Sequence, residues 1–511
     1  MEGYGYAWLK PDKPEKIFNA ADIAFAFVML VCGFLYWNLI RLYMLGAGVT
    51  IFVVIIFTIS FVYLSKSQIK QKATSITFLI IAGLSAAQFV LFDNQMISML
   101  NFMFISVVFV YWICISTDRR IDKKLSAYIV GDAVNQGLTM PFLNFGCCAS
   151  GVKSSSKYKK VKGILPAILG ILVFLPIIAV VVFLLVSADF AFEHFVNRIL
   201  SVVSIARVAT NVFQFLIGIP VAFYLYGLIY GNVKGRYADK ITVESVDKVA
   251  KAVKFAPKTA IYSALTAFNA VYLLFFVVQV AYLFSAFNGN LPEAYTYAEY
   301  ARRGFFELCA VAGINLGVLI VSGLTVKRGM DEEPKVLRVE TIIISLFTIL
   351  LIITALSKMV MYIGAYGLTP LRVFTSWFMV LLFFVFTVIC IRQFKKFNSA
   401  RIIIVGFIAM FLALSFGNVD GVIAKYNISR YEAGRLPTFD IDMVAGLSDA
   451  AVPYMYELYL KTDKSDIKMR QQLESAILNG AITGSEGFRE FNFQRHRANE
   501  IRQQIANPYL K

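Results

Sequence analysis

The sequence around residue 300 reads Tyr297-Ala-Glu-Tyr-Ala-Arg-Arg-Gly-Phe-Phe-Glu-Leu308, and about twenty apolar residues follow it directly. This polar stretch holds two acids, two adjacent arginines and four aromatic rings in twelve residues. A helix needs about 20 apolar residues to cross a bilayer, since every backbone group in hydrocarbon must find a partner within the helix. The stretch therefore predicts the polar entrance to a membrane-spanning helix.

Ten further apolar runs of spanning length occur in the chain of 511 residues, of which 59% are hydrophobic and only 16% are charged. Soluble domains carry roughly 25% charged residues. The sequence therefore predicts an all-α, polytopic transmembrane helix bundle of about eleven spans. The predicted spans are 22–40, 44–64, 74–92, 97–116, 164–186, 211–230, 259–286, 305–325, 341–362, 371–391 and 402–417.

Lysine and arginine residues alternate between dense and sparse loops along these spans. The loops on the side of the N-terminus hold 30 of these residues, and the opposite loops hold six. Such a split marks the basic side as cytoplasmic. The N-terminus is therefore predicted inside and, after eleven spans, the C-terminal tail outside. The net charge of +17 is then an orientation signal, and no nucleic-acid partner is predicted.

Four regions follow from this topology. Residues 1–116 are predicted to form four N-terminal transmembrane helices, and 117–163 a basic cytoplasmic interfacial helix and linker. Residues 164–417 are predicted to form a seven-helix transmembrane core, and 418–511 an extracytoplasmic helical tail. The six cysteines lie in apolar spans or in a basic inner loop, so no disulfide is predicted.

Three segments are predicted to lie on the membrane surface, namely 119–145, 187–207 and 241–255. The span count depends on residues 187–207 staying on the surface without crossing. The first and third segments have cationic faces, which attract anionic lipids of the inner leaflet. In the tail, apolar periodicity and capping residues predict short helices near 420–431, 443–447, 450–460, 466–478 and 485–505.

The polar stretch also supplies a candidate site on the outer face. If it is helical, Glu299–Arg303 and Arg303–Glu307 are i,i+4 neighbours, while Arg302 points elsewhere. Lys358 lies near the outer end of the ninth span, on the same predicted side, so it can pair with Glu307. Ionisable residues inside a membrane are functional candidates by default. The alternative is a structural clasp at the helix end, with Lys358 reaching outward to the polar surface.

Other polar residues in the spans point to helix packing. Asn269 and Asn315 lie in mid-membrane, where such residues more often join helices by hydrogen bonds than bind ligands. Gly313 and Gly317 form a small-xxx-small pair, which predicts a close helix approach. Pro220 in the sixth span predicts a kink, which is compatible with a cavity or with an inert bundle.

No signature of nucleotide binding or of known hydrolytic chemistry occurs, since GxxxxGK[ST], HExxH and GxSxG are absent. The only histidines are His194 and His496, too few for a zinc site with these cysteines. A solvated surface explains Asp189, Glu193 and His194 better than a divalent-ion site. The sequence therefore predicts no metal, no cofactor and no enzymatic activity, and it disfavours ATP-driven transport.

Four segments resemble a known family. The stretch Tyr297–Leu308 looks like the signature of a bacterial family of polytopic membrane proteins catalogued only as a domain of unknown function. Asn418–Asn427 with Arg430-Tyr431, Leu447–Pro453 and Phe491–Ala498 are similar to the same family. The resemblance covers roughly spans five to eleven and the tail. It implies a multi-pass protein of the bacterial plasma membrane and brings no established activity. We expect the tail helices to dock over Glu299–Arg303.

Three classes of function are compatible with these features. A non-enzymatic membrane sensor or scaffold, whose tail meets a protein partner or ligand, explains the outer module and the missing catalytic motifs. A secondary transporter or channel-like permease for a small solute or lipid is the alternative, favoured by the spans, the kinks and the Glu307–Lys358 candidates. A membrane-embedded transferase acting on lipid-linked substrates ranks third, because the outer acids are few and mostly paired.

Overall fold

The computed structural model describes residues 17–122, 125–155, 205–237, 241–287, 305–327, 335–436, 438–479 and 487–506, with isolated positions between 178 and 192. These residues form helices and, apart from an isolated bridge between Ala256 and Val326, no strand pairing. The prediction of an all-α protein is confirmed for this part of the chain.

We number the helices in chain order. They are α1 (Ala20–Leu39), α2 (Ala47–Lys66), α3 (Ala73–Leu91), α4 (Gln95–Ser116), α5 (Ile129–Val134), α6 (Met140–Leu143), α7 (Cys147–Ser154), α8 (Ile205–Lys234), α9 (Val243–Val253), α10 (Lys258–Phe287), α11 (Phe305–Thr325), α12 (Lys335–Tyr366), α13 (Pro370–Phe394), α14 (Ser399–Phe416), α15 (Val419–Glu432), α16 (Ile441–Ala445), α17 (Val452–Lys461), α18 (Ile467–Asn479) and α19 (Phe493–Ala506). A π-helical turn, Asn135–Thr139, joins α5 to α6, and a 3-10 turn, Asp449–Ala451, leads into α17.

Ten of the described helices are long and apolar enough to cross a membrane, namely α1 to α4, α8 and α10 to α14. Each overlaps one predicted span, so the prediction of a multi-pass helical membrane protein is confirmed. The predicted span 164–186 and the predicted surface segment 187–207 fall almost entirely outside the described residues. Helix α12 begins at Lys335, earlier than the predicted span 341–362, so Glu340 lies inside the helix.

An apolar core joins α1–α4 to α7 and α8, and we call these helices the N-terminal unit. Within it, α1 and α8 cross closely at Gly33 and Gly218. A Cβ atom on Gly218 would lie 2.6 Å from the carbonyl carbon of Gly33. Beside the crossing, Trp37 Nε1 donates to Ile217 O at 3.0 Å. The two backbones therefore pack directly on each other.

The predicted small-residue pair in α11, Gly313 and Gly317, makes no such close approach to another described helix. A Cβ atom on Gly313 or Gly317 would meet nothing within 4 Å among the described residues. The packed face of α11 includes Ala312, Asn315, Leu319 and Ser322. The two glycines lie beside this stripe because they are not at its helical spacing. For the part of the chain that the structure describes, the predicted close approach at Gly313 and Gly317 is wrong.

A buried carboxylate ties three helices of the N-terminal unit together. Asp22 is 1% exposed, and its side chain completes a capping box with Asn19 at the start of α1. Tyr63 Oη donates to Asp22 at 2.7 Å, and Lys234 Nζ lies 2.8 Å from its second oxygen. A buried charge is costly unless it is paired and hydrogen-bonded. Asp22 therefore fixes the start of α1 against the ends of α2 and α8.

A second apolar core joins α10, α11, α12 and α13, which we call the C-terminal unit. Helix α14 packs between the two units. The ring of Phe411 lies 4.8 Å from that of Phe104 on α4, and Phe416 lies 5.7 Å from Phe92 after α3. Aromatic contacts at these distances add to apolar burial. On the other side, Trp377 Nε1 of α13 donates to Met410 O of α14 at 3.1 Å, so α14 contacts both units.

The helices α15 to α19 share a third apolar core, and we call them the C-terminal module. The chain enters this module at Asn418, whose φ of 43° lies in the left-handed region that asparagine tolerates. The core of the module consists of Ala424, Val444, Ala451, Val452, Met455, Ile477, Ala498 and Ile501. These helices overlap the segments where short tail helices were predicted.

Replacing Gly218 by valine should destabilise the N-terminal unit, because the new side chain would overlap the backbone of α1 at Gly33. Overpacking of this kind costs about 1–3 kcal/mol. The thermal unfolding midpoint of the detergent-purified protein measures the loss. Gly317→Val is the matched control, since it adds the same side chain at an open position. Equal losses in both variants would contradict the close crossing.

Candidate functional site

The predicted outer charge cluster lies only partly within the described residues. Glu299, Arg302 and Arg303 fall outside them. Glu307 is in the first turn of α11, and its carboxylate acts electrostatically on the ammonium group of Lys358 on α12. The structure therefore brings Glu307 and Lys358 near each other. Both interpretations of this pair, a functional site or a helix-end clasp, stay predictions.

Asn269 and Asn315 each make hydrogen bonds between helices of the C-terminal unit. Tyr272 Oη donates to Asn315 Oδ1, and Asn315 Nδ2 donates to Thr348 Oγ1 at 2.8 Å. The side-chain amide of Asn269 donates to the carboxylate of Glu340. These contacts link α10, α11 and α12 through polar groups in the bundle interior.

Glu340 is the member of this group that the sequence analysis missed. It is 9% exposed, and its carboxylate also accepts a hydrogen bond from Thr266 Oγ1 at 2.7 Å. Among the described residues, no cation forms a salt bridge with Glu340, and Asn269 Oδ1 is buried without a hydrogen-bond partner. A buried carboxylate held by neutral donors inside a transmembrane bundle is a functional candidate. The position of Glu340, directly before the predicted span 341–362, was the feature of the sequence that could have identified it.

The C-terminal module contacts the N-terminal unit at the helix ends. Ala47 N donates to Phe491 O at 2.9 Å, and Gly48 N donates to Arg489 O at 2.8 Å. These are the first amide groups of α2, whose N-cap residue, Gly46, offers no side-chain acceptor. The amides at the start of a helix need partners from outside it. In α2 these partners come from the C-terminal tail.

Asn492 pairs with the neighbouring helix end. Its side-chain amide donates to Phe89 O at 2.9 Å and to Phe92 O at 2.8 Å, at the end of α3. The next residues continue the contact, since Asp93 N donates to Gln494 Oε1 at 2.7 Å. Asn492 is fully buried. The carbonyl groups that end α3 are therefore satisfied by a side chain about 400 positions later.

The contact between the module and the N-terminal unit also contains buried charged side chains. The guanidinium group of Arg495 pairs with Asp93 and lies 3.8 Å from Asp449, and Arg502 pairs with Asp449 at 2.5 Å. Arg495 and Arg502 are 4% and 6% exposed. Burial raises the pKa of the Asp93 carboxyl above its ordinary value, although the positive charge of Arg495 acts in the opposite direction. The module is therefore docked by ion pairs that are shielded from solvent.

The module also holds the turn between α12 and α13 in the C-terminal unit. Asn427 Oδ1 accepts from Leu368 N at 2.7 Å, and its amide donates to Leu368 O at 2.8 Å. The guanidinium group of Arg430 donates to Gly364 O near the end of α12. One module thus contacts helix ends of both transmembrane units.

The docking residues fall within segments that carry the family resemblance. Asp420, in the segment Asn418–Asn427, accepts from Asn94 Nδ2 at 2.9 Å at the start of α4. Asn492 and Arg495 belong to the segment Phe491–Ala498. Sequence reasoning named the segments but not their partners. Asp93 was missed altogether, although a charged residue in a three-residue connection between two spans was a usable signal. The predicted docking over Glu299–Arg303 lies outside the described residues.

Two substitutions of Glu340 should separate its charge from its hydrogen bonds. Glu340→Ala deprives the buried amide of Asn269 of its carboxylate acceptor, which costs about 1–3 kcal/mol. Glu340→Gln keeps one acceptor oxygen at this position, so its loss of stability should be smaller than that of Glu340→Ala. Thermal unfolding in detergent measures both. A larger loss for the glutamine variant would contradict this geometry.

Comparison with known families identifies one match. The family model described as Domain of unknown function (DUF4153) matches residues 78–458. The match begins within α3, earlier than the resemblance predicted, and ends within α17, before the segment Phe491–Ala498. No curated protein matches the chain, and no solved structure matches it. Because the family match covers most of the chain, the protein belongs to the DUF4153 family, a domain family of unknown function.

Proposed function

We propose that the protein is a non-enzymatic membrane sensor or scaffold in which the C-terminal module couples the two transmembrane units. The observation that carries this proposal is the double attachment of the module. It pairs with helix ends of the N-terminal unit through Asn492 and Arg495, and with the C-terminal unit through Asn427. A ligand or protein partner that shifts the module would act on both units at once.

The proposal includes an orientation, with the module outside the bacterial plasma membrane. The turns that meet the module, at Arg41, Asp93 and Leu368, belong to loops that the split of 30 basic residues to six assigns to the outer side. Described contacts also support eleven spans. Helix α7 packs beside the start of α1, whereas α8 begins near the end of α1, where Asn38 donates to Gln214. An additional span between α7 and α8, at 164–186, agrees with this reversal.

Cysteine labelling tests the orientation. In a variant without the native cysteines, Lys464→Cys in the module and Lys251→Cys on α9 place thiols at two exposed positions. A membrane-impermeant maleimide should label residue 464 in intact spheroplasts, and residue 251 only after permeabilisation. Labelling of both positions from the same side would overturn the proposed topology.

A secondary transporter is the alternative, and the buried Glu340 group favours it. A buried carboxylate whose described partners are neutral donors is a functional candidate in a membrane protein. Ion flux through wild-type proteoliposomes that Glu340→Gln abolishes, with stability retained, would support transport over the scaffold. An absence of flux in both proteins would remove this alternative.

Arg495→Met tests the coupling role. The substitution leaves Asp93 buried beside Asp449 without its cation, and breaking a buried ion pair costs about 3–5 kcal/mol. Hydrogen exchange in detergent should increase across α19. If the module couples the units, exchange should also increase at 364–368, where the module holds the C-terminal unit. An increase confined to α19 and the turns of the N-terminal unit would refute the coupling.

Lys461→Met is the matched control, because Lys461 makes exposed ion pairs with Glu432 and Glu457 on the same module. Exposed ion pairs contribute little to stability, so exchange at 364–368 should not change.

The destabilisation caused by Arg495→Met should also depend on pH. Since folding raises the pKa of Asp93, stability is lost as pH rises through that pKa and is recovered below it. Removing the positive charge of Arg495 raises this pKa further, so the difference in unfolding midpoint between wild type and Arg495→Met should become smaller as the pH is lowered.

A further inference from the structure

A cationic cavity lies on the face of the C-terminal unit opposite the module. It is formed by the end of α11, the start of α12, the end of α13 and the start of α14, and its volume is about 700 Å³. None of its described lining residues is acidic. The five cations of the lining are Lys335, Arg338, Arg392, Lys395 and Lys396.

One wall of this cavity is apolar and open to the surroundings. Ile320, Leu324 and Phe394 line it and are 52%, 55% and 64% exposed. All three belong to membrane-spanning helices, where exposed apolar side chains face acyl chains. A free anion gains nothing from such a wall, whereas an amphiphile with an anionic head group contacts both parts of the cavity.

The cationic side chains occupy different positions in the cavity and have different partners. The guanidinium group of Arg338 lies 5.9 Å from the ring centre of Phe394, at the boundary between the polar and apolar parts. Arg392 donates to Phe397 O, which holds its side chain near the end of α13. Lys335 and Lys395 are exposed and form no salt bridge with the described residues. Their ammonium groups therefore have donors available for a bound anion.

We propose that this cavity is a binding site for the head group of a phosphate-bearing anionic lipid. Lys335 and Lys395 contact the phosphate, and Arg338 bridges it to the apolar wall. An acyl chain lies along Ile320 and Leu324. Lysine and arginine bind phosphate through charge-assisted hydrogen bonds, and basic pockets between transmembrane helices bind lipid head groups. The site differs from a general attraction of basic loops because it has a cavity and an apolar wall.

Native mass spectrometry of the full chain tests the site, with phosphatidylglycerol as the anionic probe and phosphatidylcholine as the neutral one. The wild type should retain phosphatidylglycerol preferentially. Lys335→Gln combined with Lys395→Gln should weaken that binding by a factor of about 30, the product of the contributions of the two cations. The comparison variant, Lys248→Gln with Lys251→Gln on α9, removes the same charge from the basic surface segment 241–255 and should weaken the binding much less than the cavity variant.

Two further measurements distinguish a bound lipid from a free anion. Leu324→Gln keeps every cation and makes the apolar wall polar, so it should also weaken phosphatidylglycerol binding. In a competition experiment with the wild type, inorganic phosphate at millimolar concentration should not displace the lipid. Equal losses in the α9 control would show diffuse attraction and overturn the proposal. Displacement by phosphate together with unchanged binding by Leu324→Gln would show an anion site and overturn the lipid assignment. Unfolding midpoints of all variants should match the wild type, because the substituted residues are exposed.

Discussion

The backbone groups at the ends of the transmembrane helices need partners, and the rest of this structure depends on where those partners come from. The first amides of α2 donate to Phe491 and Arg489, and the last carbonyls of α3 accept from Asn492. A helix end that is buried without such partners is destabilised. The N-terminal unit is therefore completed by residues from the opposite end of the chain, so the C-terminal module is part of the fold and not an appendage to it.

The charges at this junction make docking specific. Arg495 contacts carboxylates from two different regions, Asp93 in the N-terminal unit and Asp449 in the module. In a site of low polarity, any other arrangement would leave one of these charges unpaired, at a cost of several kcal/mol. A shifted or partly docked module is therefore disfavoured relative to the docked one. This is the behaviour required of an element that responds as a unit to a ligand or partner.

Much of the fold could be predicted from the sequence, because the length of an apolar run and the capping residues of a helix are local signals. Ten predicted spans have counterparts, and the helices of the C-terminal module overlap the predicted tail helices. The contacts between distant residues could not be predicted in this way. Gly313 with Gly317 and Gly218 with Ala222 are both small-xxx-small pairs, yet only the second pair packs on another helix, at Gly33, so the pattern alone does not identify a partner. Glu340 was missed because the apolar run stops one residue short of it.

Helix α12 of the C-terminal unit connects the module to the cationic cavity on the opposite face of that unit. Helix α12 has 32 residues, which at about 1.5 Å per residue makes it about 48 Å long. Its last turn, at Gly364, contacts Arg430 of the module, and its first turn carries Lys335 and Arg338 of the cationic cavity. No proline interrupts it, so it lacks the commonest cause of a sharp bend. A tilt of α12 imposed at the module would therefore move the cavity cations, and a lipid bound among them would resist that tilt. The two surfaces are linked through one continuous helix, which the proposed coupling of the module to the transmembrane units requires.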